Sequence, residues 1–262
     1  MVKSSKLPKP KISVITPSFN QGQFIEATIK SVVSQDYPDW EYIINDAGSA
    51  DQSANIIKIY ARKYPRQIFW RSRADQGQVA AINEGLGKAT GDIIAYLNSD
   101  DYYLPGCFRK VADYFNTHPQ CLWLVGNCQV SESKLAWTFF LKHLWPIDRF
   151  PWALPVFNTI NQPAVFIRKE LVERVGLFNT GYKYSFDYDY WLRANRISFP
   201  YRIRQNLSVF RIHSDSLGTT GYKNQFKEDS VVIRKYTSDT VTLTLHRIIT
   251  FITVILYTFL KR

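Results

Sequence analysis

The sequence predicts an α/β fold with a mostly parallel central sheet and helices on both faces. Three observations carry that expectation. Short apolar runs alternate with amphipathic stretches through residues 12–97. Those runs hold no proline, and each ends on polar residues in which Asp and Asn recur. Such alternation implies right-handed crossovers between parallel neighbours.

Residues 12–16 form the first expected strand. Residues 24–34 carry Ile25, Ile29, Val32 and Val33 at helical spacing, so an amphipathic helix follows. Residues 42–44 read as a second strand ending on Asn45 and Asp46. Residues 53–60 place Ile56, Ile57 and Tyr60 on one side of a second helix. A third strand (68–70), a third helix (79–86) and a fourth strand (93–97) complete this half. The fourth strand is an apolar run between Gly91-Asp92 and Asn98-Ser99-Asp100-Asp101, the pattern of a strand covered on both faces. The second half is less regular. Helices are expected over 104–115 and 187–195, and strands over 122–130, 163–167 and 207–212. Residues 133–154 are rich in Trp, Phe and Leu, which suits a lid or a membrane-facing surface.

The last segment, 241–262, is an apolar helical extension interrupted by His246-Arg247. After Arg247 it offers 13 residues before Lys261-Arg262, short of the about 20 that a spanning helix needs. It fits an in-plane anchor flanked by basic residues or a helix buried against the domain.

The formal charge is +11, from 33 Lys and Arg against 22 Asp and Glu. Bases gather in the arm (Lys3, Lys6, Lys9, Lys11) and the second half, while acids concentrate in the first half. A basic surface suits anionic lipid or a phosphorylated ligand. No helix-turn-helix or RNA-binding signature accompanies it, so nucleic acid is not the expected partner. Cys107, Cys121 and Cys128 form no Cys-x-x-Cys pair and fit thiols of a reducing compartment. The first ten residues lack the apolar core of a signal peptide. A cytoplasmic location is expected, with peripheral contact to the cytoplasmic face of an inner membrane.

In open α/β sheets, ligands bind beyond the carboxyl ends of the strands. The polar tips Thr16-Pro17-Ser18-Phe19-Asn20, Asn45-Asp46, Asp75-Gln76-Gly77-Gln78 and Asn98-Ser99-Asp100-Asp101 should therefore share one edge. Adjacent carboxylates there attract a hard divalent cation, which commonly carries a phosphate ester. The plainer reading is capping: Asp51 at its helix, and Asp101 before Leu104-Pro105. Asp100 and Asp101 cannot be a glycosidase pair, because sequence neighbours cannot flank a bond with carboxyl groups about 5 Å or more apart.

Val14-Ile15-Thr16-Pro17-Ser18-Phe19-Asn20, Gln35-Asp36-Tyr37-Pro38, Asp46-Ala47-Gly48-Ser49-Ala50-Asp51-Gln52-Ser53, Asp75-Gln76-Gly77-Gln78 and Asn98-Ser99-Asp100-Asp101 together resemble glycosyltransferase family 2. The likeness covers roughly residues 12–216 and implies the GT-A nucleotide-sugar fold, in the manner of inverting enzymes of bacterial surface glycans. Departures are Ala47, Ala50, and Phe186 where the family has Glu. By the likeness, residues 1–240 are one domain. Its nucleotide-binding half spans about 11–101 and its acceptor-binding half about 102–240. Asp46 would read the nucleobase, Asp75 would help bind the nucleotide, and Asp100 would face the ribose or sugar. Asp101 and the late His213 would hold Mn2+ or Mg2+. Thr16, Pro17, Ser18, Asn20 and Gln78 would complete the donor site.

Asp187 aligns with the family's general base, with Asp189 as runner-up. Two positions apart on a helix they do not share a face, so one of them points at the acceptor. The alternative reading has both solvated or capping the helix. Trp191 suits stacking on a sugar ring or a place in the core, and Arg211 suits a diphosphate. The implied reaction moves a sugar from a nucleoside-diphosphate donor to a hydroxyl of a glycan or polyprenyl-linked acceptor, with inversion. Asp46, Asp101 and Asp187 should then surround one hollow.

Other classes fit less well. A sugar nucleotidyltransferase wants a Gly-rich basic loop after the first strand, which Pro17-Ser18-Phe19-Asn20 is not. Gly85-Leu86-Gly87 with Gly91 follows a helix and precedes a strand, the wrong order for a dinucleotide fingerprint, and no P-loop is present. A nucleotide-sugar binder without turnover satisfies the same motifs.

Overall fold

The computed structural model describes residues 9–131, 153–213, 216 and 220–260. The aromatic-rich stretch read as a lid or membrane surface falls, over 132–152, outside the described residues.

The strands are β1 (Ile12–Ser18), β2 (Trp40–Asp46), β3 (Ile68–Ser72), β4 (Ile93–Tyr96), β5 (Tyr102–Tyr103), β6 (Trp123–Val130), β7 (Val165–Arg168) and β8 (Tyr201–Phe210). They form one sheet in the order β3-β2-β1-β4-β7-β6-β8-β5. The pairs β1–β2, β1–β4, β2–β3 and β6–β8 are parallel, whereas β7 runs antiparallel to β4 and β6, and β5 to β8. The helices are α1 (Ile25–Val33), α2 (Ser53–Lys63), α3 (Gln78–Lys88), α4 (Cys107–Thr117), α5 (Lys169–Val175), α6 (Phe186–Ile197), α7 (Tyr222–Ile233) and α8 (Thr240–Leu260).

Side chains of the central strands alternate between two cores, as the pleat requires. Ile12, Val14, Tyr42 and Ile44 join α1, α2 and α4 on one face. Ile15 and Ile43 join α3, α5 and α6 on the other. Helix α3 lies close on β1 because Gly85 leaves room: a Cβ there would stand 2.4 Å from Ile15 Cγ2.

Two predicted elements differ. The strand expected over 163–167 starts later, because Pro163 closes a 3₁₀ turn (Gln162–Ala164) before β7. Strand β8 starts at Tyr201, well before the apolar run at 207. Among the described residues no helix is long and apolar enough to cross a membrane.

The edge of the sheet away from the carboxyl ends holds a buried acid. Glu41 accepts bonds from Lys11 Nζ (2.7 Å), Ser13 Oγ (2.6 Å) and the Thr90 N–H (2.6 Å). Burial pushes its pKa up, but these donors outweigh it and hold the carboxyl at about 2.

Candidate active site

The carboxyl ends of the parallel strands open onto a cavity of about 1080 Å3. Its walls take Pro17, Ser18 and Phe19 from β1 and its exit, Asp75 to Gln78 from the turn into α3, and Asn98 to Asp100 from beyond β4. Asp187 from the start of α6, Glu228 from α7 and His213 from beyond β8 face it from the second half.

Asp46 does not reach the cavity, which corrects its expected place on the wall. It is fully buried, accepting the N–H groups of Gly48 (3.1 Å) and Ser49 (2.9 Å) and the Ser72 hydroxyl (2.5 Å). Gly48 takes φ +78°, which lets the chain fold back over that carboxylate. Asp46 therefore builds the turn whose neighbour Ala47 lines the cavity. Thr16 and Asn20 are also structural. The Thr16 hydroxyl donates to Leu97 O (2.7 Å) and meets Tyr42 OH (2.9 Å), tying β1 to its neighbours. Asn20 Oδ1 accepts the Ala50 N–H (3.0 Å).

Asp75 lines the cavity but is occupied: Arg71 donates to it at 3.0 Å and the Gly77 N–H at 2.8 Å. Below it runs a chain of amides. Gln78 Nε2 donates to Asn98 Oδ1 (2.9 Å), Asn98 Nδ2 to Gln162 Oε1 (3.3 Å), and Gln162 Nε2 to Tyr96 O (2.6 Å). Asn98 and Gln162 were not among the expected site residues. The signal for Asn98 was its place inside the motif Asn98-Ser99-Asp100-Asp101, whereas Gln162 stands just before the strand expected over 163–167.

The adjacent carboxylates separate. Asp101 is fully buried and accepts the Arg211 N–H at 3.0 Å, and its carbonyl accepts Thr28 Oγ1 at 2.7 Å. Burial, then the neighbouring Asp100 carboxylate, push its pKa well up, which favours the neutral acid. Asp100 is the one on the wall, with His213 Nε2 3.1 Å from its Oδ2. Of the two neighbours, Asp100 lines the cavity and Asp101, expected as a metal ligand, lies behind it. Arg211 is also behind the wall. Its guanidinium bonds Asp100 O, reaches Thr28 Oγ1 at 3.2 Å, and lies over the Phe24 and Tyr102 rings.

His213 packs its ring 4.4 Å from that of Phe24, and its Nδ1 is buried with no hydrogen-bond partner among the described residues. Among those residues no three His, Cys, Asp or Glu side chains cluster as a ready-made metal site. Asp100 and His213 still set one oxygen and one nitrogen donor side by side, a pair that suits manganese better than the oxygen-seeking magnesium.

On α6 the two acids also part. Asp187 lines the cavity at the helix N-terminus, where its Oδ1 accepts the Tyr188 N–H at 2.6 Å and the dipole favours a carboxylate. Asp189 is buried between Arg193 (3.0 Å) and the Tyr236 hydroxyl (2.6 Å), so the runner-up base is a packing residue. Trp191 is fully buried, its ring stacked 5.7 Å from Trp123, and it is not among the residues lining this cavity. It corrects the sugar-stacking expectation. Glu228 was not foreseen. It accepts the N–H groups of Lys183 (3.0 Å), Tyr184 (2.6 Å) and Ser185 (2.6 Å), the turn leading into Asp187.

A family model described as "Glycosyl transferase family 2" matches residues 13–176. The chain belongs to glycosyltransferase family 2. It is 29% identical over 211 residues to the uncharacterised glycosyltransferase Rv1514c of Mycobacterium tuberculosis, covering 77% of this chain and 75% of that one. A shorter stretch of 107 residues is 36% identical to an uncharacterised glycosyltransferase of a Nostoc species, 41% of this chain but only 33% of that protein. The mannosyltransferase PcManGT of Pyrobaculum calidifontis, solved with GDP-Man and Mn2+, superposes with a TM-score of 0.73. At 17% identity, over 91% of this chain and 69% of that one, the likeness shows a shared fold. This glycosyltransferase therefore has a GT-A-like sheet, and its cavity opens at the carboxyl ends of the parallel strands.

Proposed function

We propose that this enzyme transfers the sugar of a nucleoside-diphosphate sugar to a hydroxyl of a glycan or polyprenyl-linked acceptor in one inverting displacement. The observation that carries the reading is that Asp187 and the Asp100–His213 pair line the same cavity, Asp100 coming from the first half of the chain and Asp187 and His213 from the second.

Ser18 and the amide chain Gln78–Asn98–Gln162 offer uncharged donors and acceptors to the donor's polar groups. Asp187 takes the proton of the attacking acceptor hydroxyl. Glu228 fixes the turn that aims it. Asp100 and His213 would hold Mn2+ or Mg2+, which supplies neutralisation of the charge that develops on the departing diphosphate. Acid excess supports that need: Asp75, Asp100, Asp187 and Glu228 line the cavity against Lys183, so an anionic diphosphate meets like charge. PcManGT with GDP-Man and Mn2+ agrees with this chemistry. Lipid-linked acceptors would be met at the cytoplasmic face of a membrane, in peripheral contact.

The test is a donor panel assayed for nucleoside diphosphate release, with Mn2+ or Mg2+ and with chelator, in the presence of lipid-extracted acceptor. Release from at least one donor that needs acceptor and stops with chelator is expected. Release that ignores acceptor, or none from any donor, removes the transfer reading. The anomeric configuration of the product, read by NMR, decides inversion.

A further inference from the structure

Helix α8 is amphipathic the wrong way round for water. Val241, Leu245, Ile248, Ile252, Ile255 and Phe259 are 38–70% exposed. They recur every three or four residues, which sets them in one stripe about 27 Å long. The face turned to the protein carries a buried imidazole and several threonines, while Thr244 and Arg247 are exposed. His246 is buried, with Nδ1 3.0 Å from Val156 O and Nε2 3.3 Å from Ser230 Oγ. Thr253 and Thr258 return their hydroxyls to the carbonyls of Ile249 and Val254 at 2.8 Å each. The Tyr222 hydroxyl meets Thr258 Oγ1 at 3.1 Å. Ile249 and Val254 pack beside these on Ala153, Phe157, Tyr222 and Phe226. A helix that buries its imidazole against the protein and shows a continuous row of apolar side chains outward is built for an apolar exterior.

Charge selects the occupant. The sequence holds no Asp or Glu after Asp239, whereas Arg247, Lys261 and Arg262 are basic. The adjoining α7 region exposes Lys223, Lys227, Arg234 and Lys235, while its acids turn inward: Asp229 is buried and Glu228 holds the 183–185 turn. Two copies meeting along the stripe would bring like charges together with no acid on α8 to pair them, against the needs of a helical seam. An anionic bilayer complements both the apolar stripe and its basic flanks.

We infer that α8 docks on an anionic lipid surface, lying in its plane with Val241, Leu245, Ile248, Ile252, Ile255 and Phe259 in the acyl boundary. The inference rests on exposure and charge and stands apart from the transfer reading, so its test needs no turnover.

The full chain is floated with vesicles of phosphatidylcholine, alone or with roughly 30% phosphatidylglycerol. Flotation with the anionic vesicles, weakened by salt, is expected. The double variant Ile248→Glu, Ile252→Glu should weaken partitioning by about a hundredfold, because each change removes buried apolar area and inserts a charge. Circular dichroism and nucleoside diphosphate release with soluble acceptor should stay at parent level. As a second readout, Ile252→Cys labelled with an environment-sensitive dye should shift to the blue on adding anionic vesicles. Equal flotation with neutral vesicles, flotation kept by the double variant, or an unshifted dye overturns the inference. So does a parent dimer, seen by light scattering, that the double variant converts to monomer.

Discussion

Glu228 accepts the backbone N–H of Ser185 at 2.6 Å, two residues before Asp187. The Lys183 and Tyr184 N–H groups converge on the same carboxylate. Three consecutive donors fix the entry angle of α6, and with it the direction of its first acid. Glu228→Ala should lower kcat about tenfold through misplacement of Asp187, with donor affinity little changed. Glu228→Gln, which keeps one acceptor oxygen, should recover part of the loss. A fall in donor affinity matching the fall in kcat would make Glu228 a structural residue of the donor site instead.

Asp187→Asn should reduce kcat by about a hundredfold or more, the usual worth of a general base. Donor binding measured by calorimetry should stay near the parent value. In Asp189→Asn the damage should appear as stability, about 1–2 kcal/mol by urea unfolding, since the partly exposed Arg193 loses its charged partner. Transfer by Asp187→Asn at the parent rate would move the base elsewhere.

The two neighbouring carboxylates should behave differently. Asp100→Asn and His213→Ala should each raise the Mn2+ concentration for half-maximal turnover by about tenfold. Asp101→Asn preserves the shape of a buried acid that is favoured in its neutral form, and should leave that concentration unchanged. The reverse pattern would restore the cation role to Asp101.

Glu41 should give the fold a pH dependence distant from the cavity. Its pKa lies at about 2 in the folded protein against an ordinary 4.5. A depressed carboxylate stabilises fully above its unfolded value and loses that contribution as pH falls through the folded one. The worth is roughly 3 kcal/mol at pH 7, with about half gone by pH 3. Urea unfolding of the parent and Glu41→Gln should therefore differ most at neutral pH and converge in acid, with nucleoside diphosphate release at pH 7 equal for both.

Much of the first half was legible because β1, β2 and β4 are apolar runs stopped by polar tips. Strand β5 is two residues long and carries no periodicity to find. The early part of β8 reads Tyr-Arg-Ile-Arg-Gln-Asn, too polar to resemble a covered strand. At the site, residue types and edges were readable, but side-chain directions were not. Asp100 and Asp101 are indistinguishable as letters. What separates them is the Arg211 N–H, 110 positions away, which claims Asp101. Asp46 was similarly claimed by Ser72 across a strand pair. Glu228 lay on a helix, α7, that composition did not mark, so nothing pointed to its grip on residues 183–185.

Strand β8 sits between β6, made earlier, and β5, made earlier still. Arg211 and His213 leave its end to reach Asp100. A nascent chain emerging from the ribosome therefore carries every acidic tip of the first half long before it has a working centre. Products released short of residue 213 keep the first-half carboxylates without the imidazole that stands beside Asp100.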